Sequence, residues 1–256
     1  MDVMKAVERH HQLVRDKGYD TVMTVLVGSQ NYHLDVPESD VDTFTFVMPS
    51  FDDLAAAKEP VSEEFQVEDG KCMYKDMRLA LNLLKKTSPN SVECFVGQYR
   101  VFDYWYEQVL KKYLNDWDKM NYMVHCNYHH MLYAMAGMAH QLTKRNMLAG
   151  KRYSHALRLL SMADTYVDSL DSRNLLELLP RDYDEAFSAK RDSRELDYYN
   201  EGCTFVAQKL EKLRDEFQLT DFKAEVETRG MQLVTEFQQE LLQYHLTKLQ
   251  YYHGRH

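Results

Sequence analysis

Two short runs of β-branched and aromatic residues, TVMTVLV at 21–27 and VDTFTFVM at 41–48, bracket a turn-rich segment that opens on Gly28-Ser29 and closes on Asp40-Val41-Asp42. This arrangement constrains the fold more than any other feature of the chain. Runs of this composition, bounded by Asp20, Gly28 and Pro49, suit buried strands. The intervening GSQNYHLDVPESD at 28–40 holds the Gly, Asn, Pro, Ser and Asp of a connecting loop. Period-two geometry sets Asp40 and Asp42 on one strand face about 7 Å apart and turns Val41 into the core. Two carboxylates so held can share a divalent cation. A glycine leaving the first strand lets backbone amides approach a phosphate, and the Ser29 hydroxyl can donate to it.

The flanking sequence predicts an α+β protein. Residues 3–17 place Val3, Ala6, Val7, Leu13 and Val14 between charges, an amphipathic helix ended by Gly18. After Pro49 come a short helix (SFDDLAAAK), a strand at 64–68, an Asp69-Gly70 turn, a strand at 71–74 and a helix at about 75–87. From about residue 102 onward the apolar residues recur only at helical spacing, near 103–115, 121–143, 151–170, 192–217 and 220–252. With nine glycines and five prolines, long helices are little interrupted. Strands followed by helices predict a small mixed-sheet domain over 1–100 and an all-α bundle over 101–256.

Several function classes are disfavoured. A net charge of −9, from 31 Lys and Arg against 40 Asp and Glu, argues against a generic nucleic-acid coat, whose binding rests on neutralising phosphates. No charge-free apolar run approaches the roughly 18 residues of a membrane span. The charged amino terminus lacks the apolar core of a secretory signal, so the expected location is cytoplasmic. Cys72, Cys94, Cys126 and Cys203 are scattered singly, which suits reduced thiols better than a disulfide framework or zinc ribbon. In HCNYHH, His125 and His129 have the i, i+4 spacing of two metal ligands on one helix face, but no third ligand follows; structural or interface histidines are the simpler reading. The Met- and aromatic-rich stretches MLYAMAGMAHQL and VTEFQQELLQYHLTKLQYYHGRH suit bundle core, or a subunit interface that would make a homo-oligomer through the helical domain.

Apolar residue, Gly-Ser, ten-residue spacer, Asp-x-Asp and strand together resemble the nucleotidyltransferase superfamily of DNA polymerase beta. The surrounding words, GSQNYHLDVPESDVDTFTFVMPSFDDL, KEPVS and YKDMRLALNLLKKTSPNSVECF, are similar to a group of such proteins found in bacteria and their phages. In that group GSxxYG, SDxD, a Pro-x-Phe-x-Asp element and an Asn-x-x-x-Glu helix recur. GKRYSHALRLL at 150–160 is similar to a Lys…His-x-x-Arg helix in their helical half. The resemblance covers roughly residues 20–160.

The resemblance implies a two-metal transfer of a nucleoside monophosphate from a nucleoside triphosphate to an acceptor, with Mg²⁺ or Mn²⁺ ions held by Asp40 and Asp42. Ser29 and the Gly28 amide would grip a phosphate, Ser39 would belong to the same nucleotide-binding loop, and Tyr32 would stack on a base or simply pack the loop. Lys151, His155 and Arg158, spaced by four and three on one helix side, would bind triphosphate or acceptor phosphate, or else form a solvated face. RNA (tRNA in particular), a protein hydroxyl or a small molecule could be the acceptor.

Two departures stand out. His33 replaces the last glycine of GSxxYG, where a positive φ would be strained. Met73 stands where the group's pattern has a third carboxylate, three residues before the Asp of the KDxR element. Glu68, Asp69 and Asp76 are nearby substitutes; Asp76 is taken as the third catalytic acid, although it could equally cap a helix. The alternative to an enzyme is a catalytically attenuated nucleotide- or protein-binding module, such as a phage regulatory or counter-defence protein.

Overall fold

A computed structural model describes residues 2–36, 39–144, 147–176, 180–192 and 197–253. Pro37 and Glu38 of the predicted loop, and 193–196 at the start of the segment predicted at 192–217, lie outside the described residues. Strands β1 (Asp20–Val27), β2 (Asp42–Met48), β3 (Ser62–Val67), β4 (Gly70–Asp76) and β5 (Arg100–Phe102) form one mixed sheet in the order β3-β4-β2-β1-β5. β2 and β4 run parallel and the other neighbours antiparallel. A run of helices follows, so the fold is α+β with a mixed sheet succeeded by an all-α region.

Helix α1 (Val3–Asp16) starts at Asp2, whose side chain accepts the Lys5 N–H, and buries Ala6, Val7, His10, His11 and Val14 against one sheet face. Helices α2 (Phe51–Ala55), α3 (Met77–Lys86) and α4 (Pro89–Val96) follow in the sheet-bearing half. Ser50 and Ser88 each close a capping box, and Pro89 opens α4 where its missing N–H costs nothing. The helical half comprises α5 (Glu107–Leu114), α6 (Trp117–Val124), α7 (Tyr128–Leu142), α8 (Ala149–Asp168), α9 (Pro180–Arg191), α10 (Asp197–Glu216) and α11 (Asp221–His253). Among the described residues no helix is long and apolar enough to cross a membrane.

Where the helix predicted at 121–143 was continuous, the chain instead breaks between α6 and α7. Asn127 accepts the His130 N–H at 3.0 Å and starts a new helix, a cap that outweighs the helical spacing of the surrounding apolar residues. Helix α9 and the short edge strand β5 were not anticipated, α4 was implied only by the resemblance, and β4 extends beyond the predicted 71–74.

One contiguous apolar core runs from Val22, Val25, Phe46 and Phe95 into the helices through Met131, Tyr166 and Phe237. The sheet is pinned at both ends. At the start of β1, Asp20 accepts from Tyr106, just ahead of α5, at 3.0 Å and from Lys248 of α11 at 2.6 Å, while His245 Nε2 lies 2.8 Å from the Pro49 carbonyl. At the other end, where β1 leaves and β2 enters, α4 and α8 close over the turn.

Candidate active site

The turn after β1 depends on a glycine. Gly28 has φ 89° and ψ −154°, a conformation that side chains rarely tolerate, and it directs the chain into a short 3-10 turn over Ser29–Tyr32. Its amide donates to Glu93 Oε1 of α4 at 2.5 Å, and Asn31 donates to the Leu26 carbonyl at 2.6 Å and to the same Glu93 oxygen at 3.4 Å. Glu93 is buried. Burial pushes its carboxyl above the usual carboxylate range, opposed by the positive charge of Arg158 and by the Gly28 amide. Glu93 was not singled out in the sequence; its burial beneath the Gly28 turn depends on a long-range contact that local pattern does not record.

Tyr32 is also buried, and the Arg158 guanidinium lies over its ring at 4.0 Å from the centroid. Tyr32 therefore packs the loop and carries Arg158, a cation–π contact worth about 1–2 kcal/mol when desolvated. His33 adopts φ 52° and ψ 30°, the left-handed region where the related pattern has glycine. Ser39 closes a turn ahead of the aspartates, its amide donating to the Val36 carbonyl at 2.8 Å and its hydroxyl accepting the Val36 N–H at 2.9 Å.

Val41 is buried with Ala6, Val7 and Leu26. Asp42 opens β2 opposite Val27. It accepts the Lys71 N–H at 3.2 Å, and an added Cβ at Gly28 would stand 3.9 Å from its Oδ2. Burial pushes the Asp42 carboxyl up, and the charge of Asp40 adds to the rise against the Lys71 amide and the charges of Lys71 and Lys151. Asp40 is exposed beside it. The repulsion that Asp40 exerts on Asp42 is of the kind a bound cation relieves.

The candidate third acids are not brought to this pair. Along β4, Lys71, Met73 and Lys75 are half-buried while Cys72, Tyr74 and Asp76 are buried, so Met73 and Asp76 face opposite sides. Met73 pairs with Phe44, on the Asp42 side. Asp76 pairs with Val47, roughly 17 Å along β2 from Asp42 at ~3.3 Å per residue. There it caps α3 by accepting the Arg78 N–H at 2.8 Å and forms an ion pair with the Arg78 guanidinium at 2.7 Å. Asp69 turns toward α1, bonded to His10 Nε2 at 3.0 Å and to Arg9, and Glu68 is exposed in the β3–β4 turn. Among the described residues, no three His, Cys, Asp or Glu gather into a metal-holding group.

A cavity of about 300 Å³ lies over the turn, lined by Gly28, Phe44, Met73 and Glu93 from the sheet-bearing half and by His155, Arg158 and Leu159 from α8. Lys151, one turn before His155, is exposed, and its charge reaches Asp42. The helix predicted to carry a basic stripe thus brings that stripe to the turn and the aspartate pair. A polyanion bound in this cavity would meet the Arg158 and His155 side of α8 opposite the Gly28 turn. His125 and His129 do not share a helix: His125 ends α6, stacks on Tyr166 at 4.5 Å and bonds the Asn121 carbonyl at 2.7 Å. Burial lowers its pKa to about 4, so it is a neutral structural imidazole. The four cysteines are free and buried.

The model of the family described as RlaP, RNA repair pathway DNA polymerase beta family, matches residues 2–234. Among solved structures, a nucleotidyltransferase-like protein from Exiguobacterium sibiricum aligns over 93% of this chain and 91% of its own, at 13% identity and a TM-score of 0.29. No curated protein matches.

Proposed function

The chain belongs to the RNA repair pathway DNA polymerase beta family, and from that membership we propose that it is a metal-dependent nucleotidyltransferase that moves a nucleoside monophosphate from a nucleoside triphosphate to RNA. The reading rests on one observation above the rest: the Gly28 turn faces His155 and Arg158 of α8 across one cavity, and the charge of Lys151 on the same helix reaches Asp42. RNA is preferred over a protein hydroxyl or a small molecule because the family description names an RNA repair pathway.

In this reading Lys151 and Arg158 bind the triphosphate, and the turn at Gly28-Ser29 orients it, with Glu93 and Tyr32 holding the turn and Arg158 in place. Asp40 and Asp42 hold Mg²⁺ or Mn²⁺, which when bound would neutralise the charge that develops on the transferred phosphoryl group. The acceptor hydroxyl oxygen forms the new bond to the α-phosphorus, its proton passes to water, and the bond from the α-phosphorus to pyrophosphate breaks so that pyrophosphate leaves. Met73, facing the Asp42 side without a carboxylate, favours a second reading, an attenuated module that binds nucleotide without turnover.

Incubation with each of the four α-³²P-labelled nucleoside triphosphates, Mg²⁺ or Mn²⁺, total RNA and cell lysate separates the two. Label moving to RNA, and lost by about 10³-fold or more in Asp42→Asn, is the expected result. Label on protein or a small molecule corrects the acceptor. Nucleotide binding by calorimetry without transfer to any acceptor replaces the enzyme with the binding module.

A further inference from the structure

The start of α8 and the end of α9 touch through a glycine. A Cβ added at Gly150 would stand 2.1 Å from the Ala189 carbonyl oxygen and 2.8 Å from that of Asp192, so a larger residue would force the helices apart. The residue after each contact point is a lysine, Lys151 on α8 and Lys190 on α9, and the close approach brings the two together. Lys190 is half-buried and donates to the Leu34 carbonyl at 2.6 Å, which fixes its ammonium against the loop joining the Gly28 turn to Asp40.

The charged groups that act on Lys190 are Lys151 and Arg158 of α8 and Asp35 of the loop. Among the described residues, only Asp35 of these is negative, and it is exposed to water. Burial and the two neighbouring cations push the Lys190 amine down to about 8. A lysine has three N–H donors and Leu34 takes one. Three cations thus converge, two of them half-buried, near Asp42, which already feels the charge of Lys151. Such a group is stabilised by a multiply charged anion, and the bonds it would make are of the charge-assisted kind.

We propose that Lys190 binds the terminal phosphate of a nucleoside triphosphate, acting with Lys151 across the Gly150 contact while keeping its bond to Leu34. The proposal rests on the nucleotidyltransferase reading and adds a phosphate-binding residue on α9, outside the basic stripe of α8. It makes the site count phosphates. A nucleoside triphosphate reaches the lysine pair, whereas a nucleoside diphosphate, one phosphate shorter, does not.

The test is calorimetric titration of the full chain and of Lys190→Met and Lys190→Arg with ATP, ADP and inorganic tripolyphosphate, at pH 7 and pH 9. Lys190→Met is expected to weaken ATP and tripolyphosphate roughly tenfold with little change for ADP, and Lys190→Arg to restore the loss. Because Lys190 is charged below about 8 and neutral above it, ATP affinity of the unaltered chain should fall between pH 7 and pH 9. That fall should shrink in Lys190→Arg, whose guanidinium stays charged. Equal weakening of ATP and ADP would overturn the proposal in favour of a loop strap acting through Leu34. Unchanged affinities in Lys190→Met would overturn it while leaving the nucleotidyltransferase reading intact. Failure of the unaltered chain to bind any nucleotide would instead remove the reading on which it rests.

Discussion

The two faces of the sheet bury polar groups in opposite ways. Toward α1, His10 Nδ1 meets Thr43 at 2.7 Å and its Nε2 meets Asp69 at 3.0 Å. His11 meets Thr24 at 2.9 Å, and Thr24 meets Thr45 at 2.8 Å. This chain of side chains bonds to itself, as a buried polar network must if it is to support the fold. Toward α8, two carboxylates repel each other at Asp40 and Asp42, the Arg158 Nε is buried without a hydrogen-bond partner among the described residues, and Lys190 sits among cations. Thr43 and Asp42 are adjacent in the chain yet belong to these two different regimes. Polarity inside a fold does not by itself mark a site; here the self-bonded groups lie on the α1 face and the candidate site on the other.

Glu93 is the point where the α8 face is compensated, so removing it should break the contrast most severely. Glu93→Ala would leave the Gly28 and Asn31 donors unpaired and Arg158 without its buried counter-charge. We expect a loss of about 3 kcal/mol in urea denaturation. Glu93→Gln keeps an acceptor oxygen for both donors and should lose no more than about 1–2 kcal/mol. Equal stability of Glu93→Ala and the unaltered chain would show that the turn does not depend on this carboxylate.

A matched pair of substitutions sharpens the contrast. Burial raises the Asp69 carboxyl, but its bond to His10 and the charges of His10 and Arg9 outweigh that and hold it below the usual 3.8. Its contribution is therefore fully present above 3.8 and is lost as pH falls through the lower folded value. Asp42 has the opposite sign: its folded pKa is raised, so its cost is absent at low pH and sets in as pH rises through that value. At pH 7, Asp69→Asn should lose about 1–3 kcal/mol. Asp42→Asn should lose nothing or gain up to ~1 kcal/mol, a gain that shrinks toward pH 4. Added Mn²⁺ should raise the melting temperature of Asp69→Asn but not of Asp42→Asn. A destabilised Asp42→Asn would place that residue with the network on the other face.

Legibility in the sequence followed the range of the interaction. Strand β1, helix α1 and the strand entering at Asp42 declared themselves through local period and turn residues, and Val41 is buried as alternation required. The α6–α7 break at Asn127 was hidden because apolar spacing runs through it unchanged. Helix α9 carries few apolar residues and was passed over, and Lys190 with it. Asp76 looked like a third acid because it lies near Met73 in the chain. The pleat turns the two to opposite faces, and the Arg78 ion pair holds Asp76 there. Glu93 and Lys190 act across 65 and 156 residues of chain, separations at which a local pattern carries no information.

His33 offers the smallest effect and bears on the same contrast, since strain belongs with the uncompensated face. Its φ of 52° was foreseen as a difficulty from the missing glycine, and the loop keeps that conformation regardless. A left-handed non-glycine residue costs roughly 1–2 kcal/mol, while glycine gives back about 0.4–1 kcal/mol through the greater freedom of the unfolded chain. His33→Gly should therefore stabilise the protein by about 0.5–1 kcal/mol in urea denaturation, and His33→Ala, which keeps the Cβ, should not. If both variants lose stability equally, the exposed imidazole contributes contacts that outweigh its backbone strain, and the loop before Asp40 belongs with the paired network.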